Sequence, residues 1–491
     1  MKMLPRLGAA TLCLVPATAP GQVAPTLSPP AVPATSHTPY PAGAVGDGAT
    51  TGGFNLSRWA EDWRKMGDPS KRDDPLDRLK YLPLDGDGDI YLTLSGELRL
   101  RVNHTTNPGL REARAQRQDI NRIIGGADLH LGPNLRAYGE LAHAGISGVE
   151  LGTPSSSLRN DLVVQQAFVE GDVTVAGVAL GARYGRQEFT DGANLLVSQR
   201  DNNTVRYTLN GIRLWARGSR VRADIFDLKP TSYGDRGSED DVTDPDRRFS
   251  GITAGIAVPT TWFGGSTLYV DPFFWRRRNL KGAWGGRVGP ARRYYAGVRV
   301  WGDAGPLTID WTVNHQYGHY IDQDIDAWQV FLAQTYRVGG AKTAPRIGFH
   351  VDYASGGGGY GGSKLRNAYA PFGNNIYYSY QLFLTPSNLV AIAPNVTVSP
   401  FASLRVTAEY QRAWRDDVHD AVYRASGAPF TGTQNVRGRR IADVARLQAV
   451  WTVSPRVSLT GRYEHLAAGP ALTEAGYRSS DFLAGWISLR F

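Results

Sequence analysis

The chain has 491 residues, a formal net charge of +9 and 42% hydrophobic residues, with no apolar run beyond the amino terminus long enough for a membrane-spanning helix, which excludes a helical membrane protein. Its 57 glycines, 23 tyrosines and 12 tryptophans beside only 3 methionines suit alternating strands with interfacial aromatics better than packed helices. The basic charge is arginine scattered at strand spacing, not lysine in runs, which argues against a nucleic-acid partner.

Residues 1–23 read as a secretory signal peptide. Lys2 and Arg6 form its positive end, Leu7 to Val15 a short apolar core, and Ala17-Thr18-Ala19 a small-residue cleavage candidate, with cleavage expected between Ala17 and Ala24. The single cysteine, Cys13, lies inside it, and Leu12 is too large for a lipobox, so the mature chain is expected to carry neither lipid anchor, disulfide nor thiol chemistry. Residues 24–53 are rich in Pro, Ala, Thr and Gly and read as a flexible linker that cannot bury a core.

Residues 54–89 form a separate, charged periplasmic segment. Ser57 is expected to cap a short helix carrying Trp59, Trp63 and Met66, ended by Gly67 and Pro69. Asp85-Gly86-Asp87-Gly88-Asp89 reads as a solvated turn, because Gly96 stands where a calcium loop needs its closing glutamate.

From Ile90 the chain alternates. Leu98, Leu100 and Val102 share one face of the first strand, and Glu97, Arg99, Arg101 and Asn103 the other. Hairpins with tight turns follow: Asn121–His130 with Asn134–His143, Leu162–Glu170 with Val178–Glu188, Thr204–Ala216 with Arg220–Leu228, and Phe249–Val258 with Thr267–Trp275. Arg293–Trp301 with Leu307–Tyr317, Asp326–Arg337 with Arg346–Tyr353, Leu389–Val398 with Ser403–Arg415, and Ile441–Val453 with Arg456–His465 complete the series. The last twelve residues, Ser480 to Phe491, alternate strictly and end on an aromatic, as a strand held in a sheet to its end would. With the first and last strands the total is about eighteen, and long polar segments (Pro230–Arg248, Ala354–Gln381, Asp416–Arg440) alternate with the short turns. The expected fold is all-β: a transmembrane antiparallel up-and-down β-barrel over residues 90–491 in a Gram-negative outer membrane, with both chain ends in the periplasm.

If the apolar face meets lipid, the charged face lines the lumen, because unpaired charge is costly in hydrocarbon. Arg99, Arg101, Arg136, Arg183, Arg206, Arg220, Arg222, Arg293, Arg299, Arg346, Arg405, Arg446, Arg456 and Arg462 then point inward and outnumber the inward acids Glu97, Glu140, Glu170, Asp224, Asp310, Asp352, Glu409 and Glu464. The reading is an electropositive, anion-selective lumen, against the alternative that each arginine only braces the wall by pairing across strands. No GxSxG, HExxH or Cys/His cluster points to an enzyme. His315 and His319, the nearest approach to a metal pair, would stand about 13 Å apart along a strand.

The block Tyr184-Gly185-Arg186-Gln187-Glu188-Phe189, then Asp191-Gly192, Arg200, Val205-Arg206 and Asn210-Gly211-Ile212-Arg213-Leu214, resembles the signature of the alginate-export family of outer-membrane barrels. The stretch from Trp63 to Leu84 and the strand start Leu94 to Arg99 are similar to the opening of that family, Tyr353 to Gly358 to a glycine-rich loop start, and Trp486 to Phe491 to its closing strand. The resemblance implies an eighteen-stranded monomeric barrel, with Arg186 and Arg213 joining the arginines above in a constriction that passes a negatively charged exopolysaccharide. It implies as partners an anionic polysaccharide, a periplasmic export scaffold and an inner-membrane synthase; outer-membrane lipid is the further partner expected of a barrel, no cofactor and no metal are expected, and residues 54–84 are expected either to dock the scaffold or to gate the periplasmic mouth. Gly185 is expected where the wall approaches closely, and Gly211 to seat a bulge that re-aims Arg213. Glu188 and Gln165 stand where the family pattern has arginines. The readings left open are passive export of an alginate-like polymer, a selective porin for small anions, and a loop-borne adhesin or structural barrel.

Overall fold

The computed structural model describes residues 51–151, 154–192 and 194–491; the expected signal peptide (1–23) and most of the expected linker (24–53) lie outside them. Residues 90–490 form a closed antiparallel barrel of 18 strands. These are β1 (Ile90–Thr105), β2 (Gln116–Leu131), β3 (Leu135–Val149), β4 (Asn160–Val175), β5 (Val178–Gln187) and β6 (Leu209–Arg217). Next come β7 (Val221–Ser232), β8 (Arg247–Ala257), β9 (Thr267–Trp284), β10 (Arg287–Ala304), β11 (Leu307–Tyr320) and β12 (Gln323–Arg337). The last are β13 (Arg346–Ala354), β14 (Leu389–Phe401), β15 (Leu404–Trp414), β16 (Arg440–Ser454), β17 (Val457–Ala468) and β18 (Ser480–Arg490). Each strand pairs with the next, and β18 closes on β1 from Phe482 opposite Thr105 to Arg490 opposite Glu97. The ladder continues through Phe491 and Gly96, whose backbones exchange hydrogen bonds of 3.2 and 3.1 Å. The Phe491 ring lies where a side chain at Gly96 would stand: a Cβ there would be 2.3 Å from it.

Period-two patterning explains the wall. On β1, Leu100 and Val102 are 48% and 45% exposed, while Arg101 and Asn103 are 8% and 5% exposed. The outward apolar face is the lipid-facing one, and the polar face looks into the lumen, as expected.

The structure departs from the expected elements in several places. β9 and β10 continue past Trp275 and begin before Arg293, meeting at Gly285-Gly286. Their outer half was concealed in the sequence because arginine occupies both faces there, with Arg277 over the lumenal Tyr369 ring (4.8 Å) and Arg276 and Arg278 exposed outside. Conversely, residues 188–208, expected to become strand at Thr204, form a loop folded into the lumen, where Ser198 donates its amide to the Phe372 carbonyl (3.1 Å) and Phe372, in the loop of residues 355–388, donates its own to the Leu196 carbonyl (2.9 Å). Leu195, Leu196, Val197, Phe372, Tyr377, Tyr378 and Leu472 join inward strand residues in a hydrophobic core inside the barrel. No bulge interrupts Gly211: its register with β7 runs unbroken from Leu209 to Arg217.

The segment before β1 is not separate from the sheet. Its chain enters the lumen as short 3-10 turns (Arg58–Ala60, Arg64–Gly67, Pro69–Lys71, Pro75–Lys80) instead of the expected helix, and Ser57 makes no cap but donates its hydroxyl to Glu188 at 2.7 Å. Trp59 packs against Tyr138 and Phe168 on the inner wall. At the rim, Asp85 accepts the amides of Gly88 (2.7 Å) and Ile90 (3.0 Å), which builds the expected turn.

Candidate functional site

The lumenal arginines sort into three arrangements. In the first, loop and amino-terminal segment are clasped by wall charges. Arg122 donates to Glu97 (2.5 Å) and Asp201 (2.9 Å), Arg99 to Asp201 (3.1 Å), and Arg206 to Asp201 (2.5 Å), Glu188 (2.8 Å) and the Leu56 carbonyl (2.9 Å). Burial works to raise the Asp201 carboxyl, yet Arg122, Arg206 and Arg99 together hold it well below the usual carboxylate range. Arg58 bridges Glu97 (2.9 Å) and Glu140 (2.8 Å). Arg136 reaches Glu170 (2.9 Å) and the Trp59 carbonyl (2.7 Å), and Arg183, bound to Glu170 at 2.6 Å, lies 3.8 Å over the Trp59 ring. One tryptophan is thus held by two wall cations.

In the second arrangement arginines brace strands. Arg213 and Arg222 share Asp224 (2.5 and 3.3 Å), Arg299 binds Asp310 (2.7 Å) and the Gly192 carbonyl (2.9 Å), and Arg446 pairs with Glu409. Here the bracing alternative holds.

The third arrangement lacks carboxylate partners among the described residues. Arg101 and Arg462 both bond the Asn202 amide oxygen (3.2 and 2.8 Å), and both lie 4.9 Å over Trp486. Arg101 also donates to the Asn202 carbonyl (3.2 Å) and to Asn103 (2.7 Å), Arg462 to Gln448 (2.6 Å), and Tyr380 lies 4.7 Å from Arg462. Nearer the periplasm, Arg346 opens β13 and Arg405 is the second residue of β15; inward by register, they are half-buried and exposed respectively. Arg346 and Arg405 are open to an incoming anion, whereas Arg101 and Arg462 are buried beneath Asn202, with indole and phenol rings beside them.

Among the expected site residues, Arg186 is the exception to the inward placement. Three residues from Arg183 on one strand, it takes the opposite face, in register with the exposed Ala167, and donates to the carbonyls of Val164 (2.8 Å) and Asp241 (3.0 Å). It braces the outer rim. Arg206 lies on the folded-in loop and not on a strand. Gly185 makes the close approach expected of it: its φ is +134°, and an added Cβ would be 2.2 Å from the Ala167 carbonyl oxygen. Glu188 and Gln165 both serve Arg206, the first through its guanidinium and the second through its backbone carbonyl (2.8 Å) and amide (3.1 Å). Sequence reasoning missed Arg58, Arg122 and Asp201. Ile123 and Ile124 beside Arg122 blur the alternation, and Arg58 and Asp201 lie on segments without periodicity.

The sequence profile of the alginate-export family matches residues 90–485. No curated protein sequence matches the chain. Among solved structures, Acinetobacter baumannii OccAB1 aligns with TM-score 0.53 and 12% identity over 84% of this chain and 99% of its own. A BenF-like porin from Pseudomonas fluorescens Pf-5 aligns with TM-score 0.51 and 11% identity over 81% and 99%. Pseudomonas aeruginosa OpdO aligns with TM-score 0.51 and 11% identity over 82% and 97%. At such identity these likenesses show the barrel fold alone.

Proposed function

This chain belongs to the alginate-export family and is an outer-membrane channel, not an enzyme; on that premise we propose that it lets an anionic exopolysaccharide leave the cell passively through its arginine-bearing lumen. The observation that supports this reading is a group of lumenal guanidiniums without carboxylate partners among the described residues, which includes Arg346 and Arg405 toward the periplasmic mouth and, deeper in, Arg293 together with Arg101 and Arg462 against Trp486. Arginine presents a flat fork to a carboxylate, and neighbouring aromatic rings stack on sugar faces. A polyuronate handed from one guanidinium to the next meets many weak sites and no trap. The amino-terminal segment acts as an internal plug at the periplasmic half, and a periplasmic scaffold that delivers the polymer is the partner expected to displace it.

A second reading, a selective porin for small anions, draws on the hydrophobic core that residues 188–208 and 355–388 build inside the barrel, which a polymer must part. Planar-bilayer recordings separate the two. Reversal potentials under a salt gradient are expected to show anion preference, lost in R346E/R405E, and polyuronate added on the periplasmic side is expected to block. Cation preference in the native chain refutes the basic-lumen argument, and block by small anions but not by polyuronate selects the porin.

A further inference from the structure

The outer half of β8 to β11 carries arginine on the wrong side for a channel. Arg248, Arg278 and Arg292 face one another in register across β8, β9 and β10, and Arg276 sits on the same face two residues before Arg278. All four are exposed on the outward side, continuous with Phe274, Tyr294 and Tyr317. Like charges directly opposite on adjacent strands repel, because their Cβ atoms stand about 5 Å apart. Arg248 is neutralised by Asp227, at 2.6 Å through its Nε. Arg276, Arg278 and Arg292 have neither an ion pair nor a side-chain hydrogen bond among the described residues. An arrangement of three unneutralised guanidiniums is stable when an anion completes it.

Their height fixes which anion. The outward apolar face of β9 begins near Leu268, and eight to ten residues at 3.4 Å each on a strand tilted about 40° rise roughly 20–25 Å, the height of the apolar band of such barrels. The arginines therefore stand where the hydrocarbon ends, on the side of the long loops, which is the cell exterior. Tyr294 and Tyr317 stack at 5.3 Å and Phe274 and Tyr294 at 6.0 Å, an aromatic girdle at the same level. A free polymer in the lumen cannot reach this face. A headgroup phosphate of the outer leaflet can.

We propose that Arg276, Arg278 and Arg292 form a binding site for the phosphate groups of an outer-leaflet glycolipid, with Phe274, Tyr294 and Leu280 against its acyl and sugar portions. Two guanidiniums opposite each other and a third two residues along the strand offer bidentate contacts to more than one phosphate oxygen. The site anchors the barrel in a phosphorylated saccharolipid leaflet and is independent of what the lumen carries.

The test uses full-length barrel in detergent, with diphosphorylated lipid A as the probe and native mass spectrometry as the readout. The wild-type chain is expected to retain at least one lipid A per barrel, and R276T/R278T/R292T to lower that occupancy about tenfold, with heat-modifiable gel mobility and conductance unchanged. R236T/R437T, which removes exposed arginines elsewhere, is expected to bind as the wild type does, and dephosphorylated lipid A to bind neither. If the triple variant does not fold, the single variant R292T is read in its place, with a threefold fall expected. Equal retention by wild type and variant overturns the proposal, as does no retention by the wild type or equal retention of the dephosphorylated lipid. Inorganic pyrophosphate displacing lipid A at equal concentration also overturns it, by showing a site for free anions.

Discussion

Replacing Arg58 by alanine tests whether the amino-terminal segment plugs the lumen. Its guanidinium is buried between Glu97 and Glu140 at 2.9 and 2.8 Å, the ion-pair anchor of the Trp59 turn. Breaking a buried pair costs about 3–5 kcal/mol, mostly because the partner charge is left alone. Glu97 keeps Arg122 and Arg99, and Glu140 keeps the Tyr138 hydroxyl at 2.8 Å, so the lower end applies. About 3 kcal/mol is about a hundredfold in the equilibrium between docked and released segment. Ala60 is buried beside Arg58, which makes A60C a reporter for maleimide labelling. R58A/A60C is expected to label about a hundredfold faster than A60C, and R58A to conduct more than wild type in single-channel recordings. Equal labelling rates together with equal conductance would sink the plug.

Three further outcomes follow from the same geometry. G185A places a Cβ against a backbone carbonyl at a φ of +134°, where nothing flexible can yield, so it is expected to cost about 2 kcal/mol or more and to lower the temperature at which the barrel loses its compact gel mobility. Burial lowers Lys80 to about 8 against the pull of Glu61, with Arg456 and Arg58 opposing its charge and the Phe54 and Trp63 rings facing it. The released segment then holds more protons than the docked one between pH 8 and the ordinary lysine range, so docking tightens as pH rises through that window; conductance is expected to fall there, and K80M to abolish the change. E188Q removes the carboxylate that holds both Arg206 and Ser57 and is expected to loosen the plug, read as faster A60C labelling, by a smaller factor than R58A because Asp201 retains Arg206.

The wall was legible from residue order alone. Alternation of side chains at period two needs no partner to be legible, so Leu100 and Val102 against Arg101 and Asn103 set the strand, its lipid face and the lumenal side of its arginines, and repetition of that pattern gave the closed barrel, the lumenal basicity and the outer membrane as its place. The same rule, applied strictly to Arg183, places Arg186 on the other face.

What an inward arginine does there was decided only in three dimensions. Asp201 meets Arg99 and Arg122 from a loop 102 and 79 residues away, and Arg58 meets Glu97 and Glu140 from a segment with no periodicity of its own. Period two fixes a face but not a neighbour. Whether a lumenal guanidinium braces, clasps a plug or waits for an anion depends on which carboxylates the folded-in loops carry to it. The outward patch at Arg276, Arg278 and Arg292 was hidden for the related reason that charge on both faces erases the alternation by which a strand is recognised.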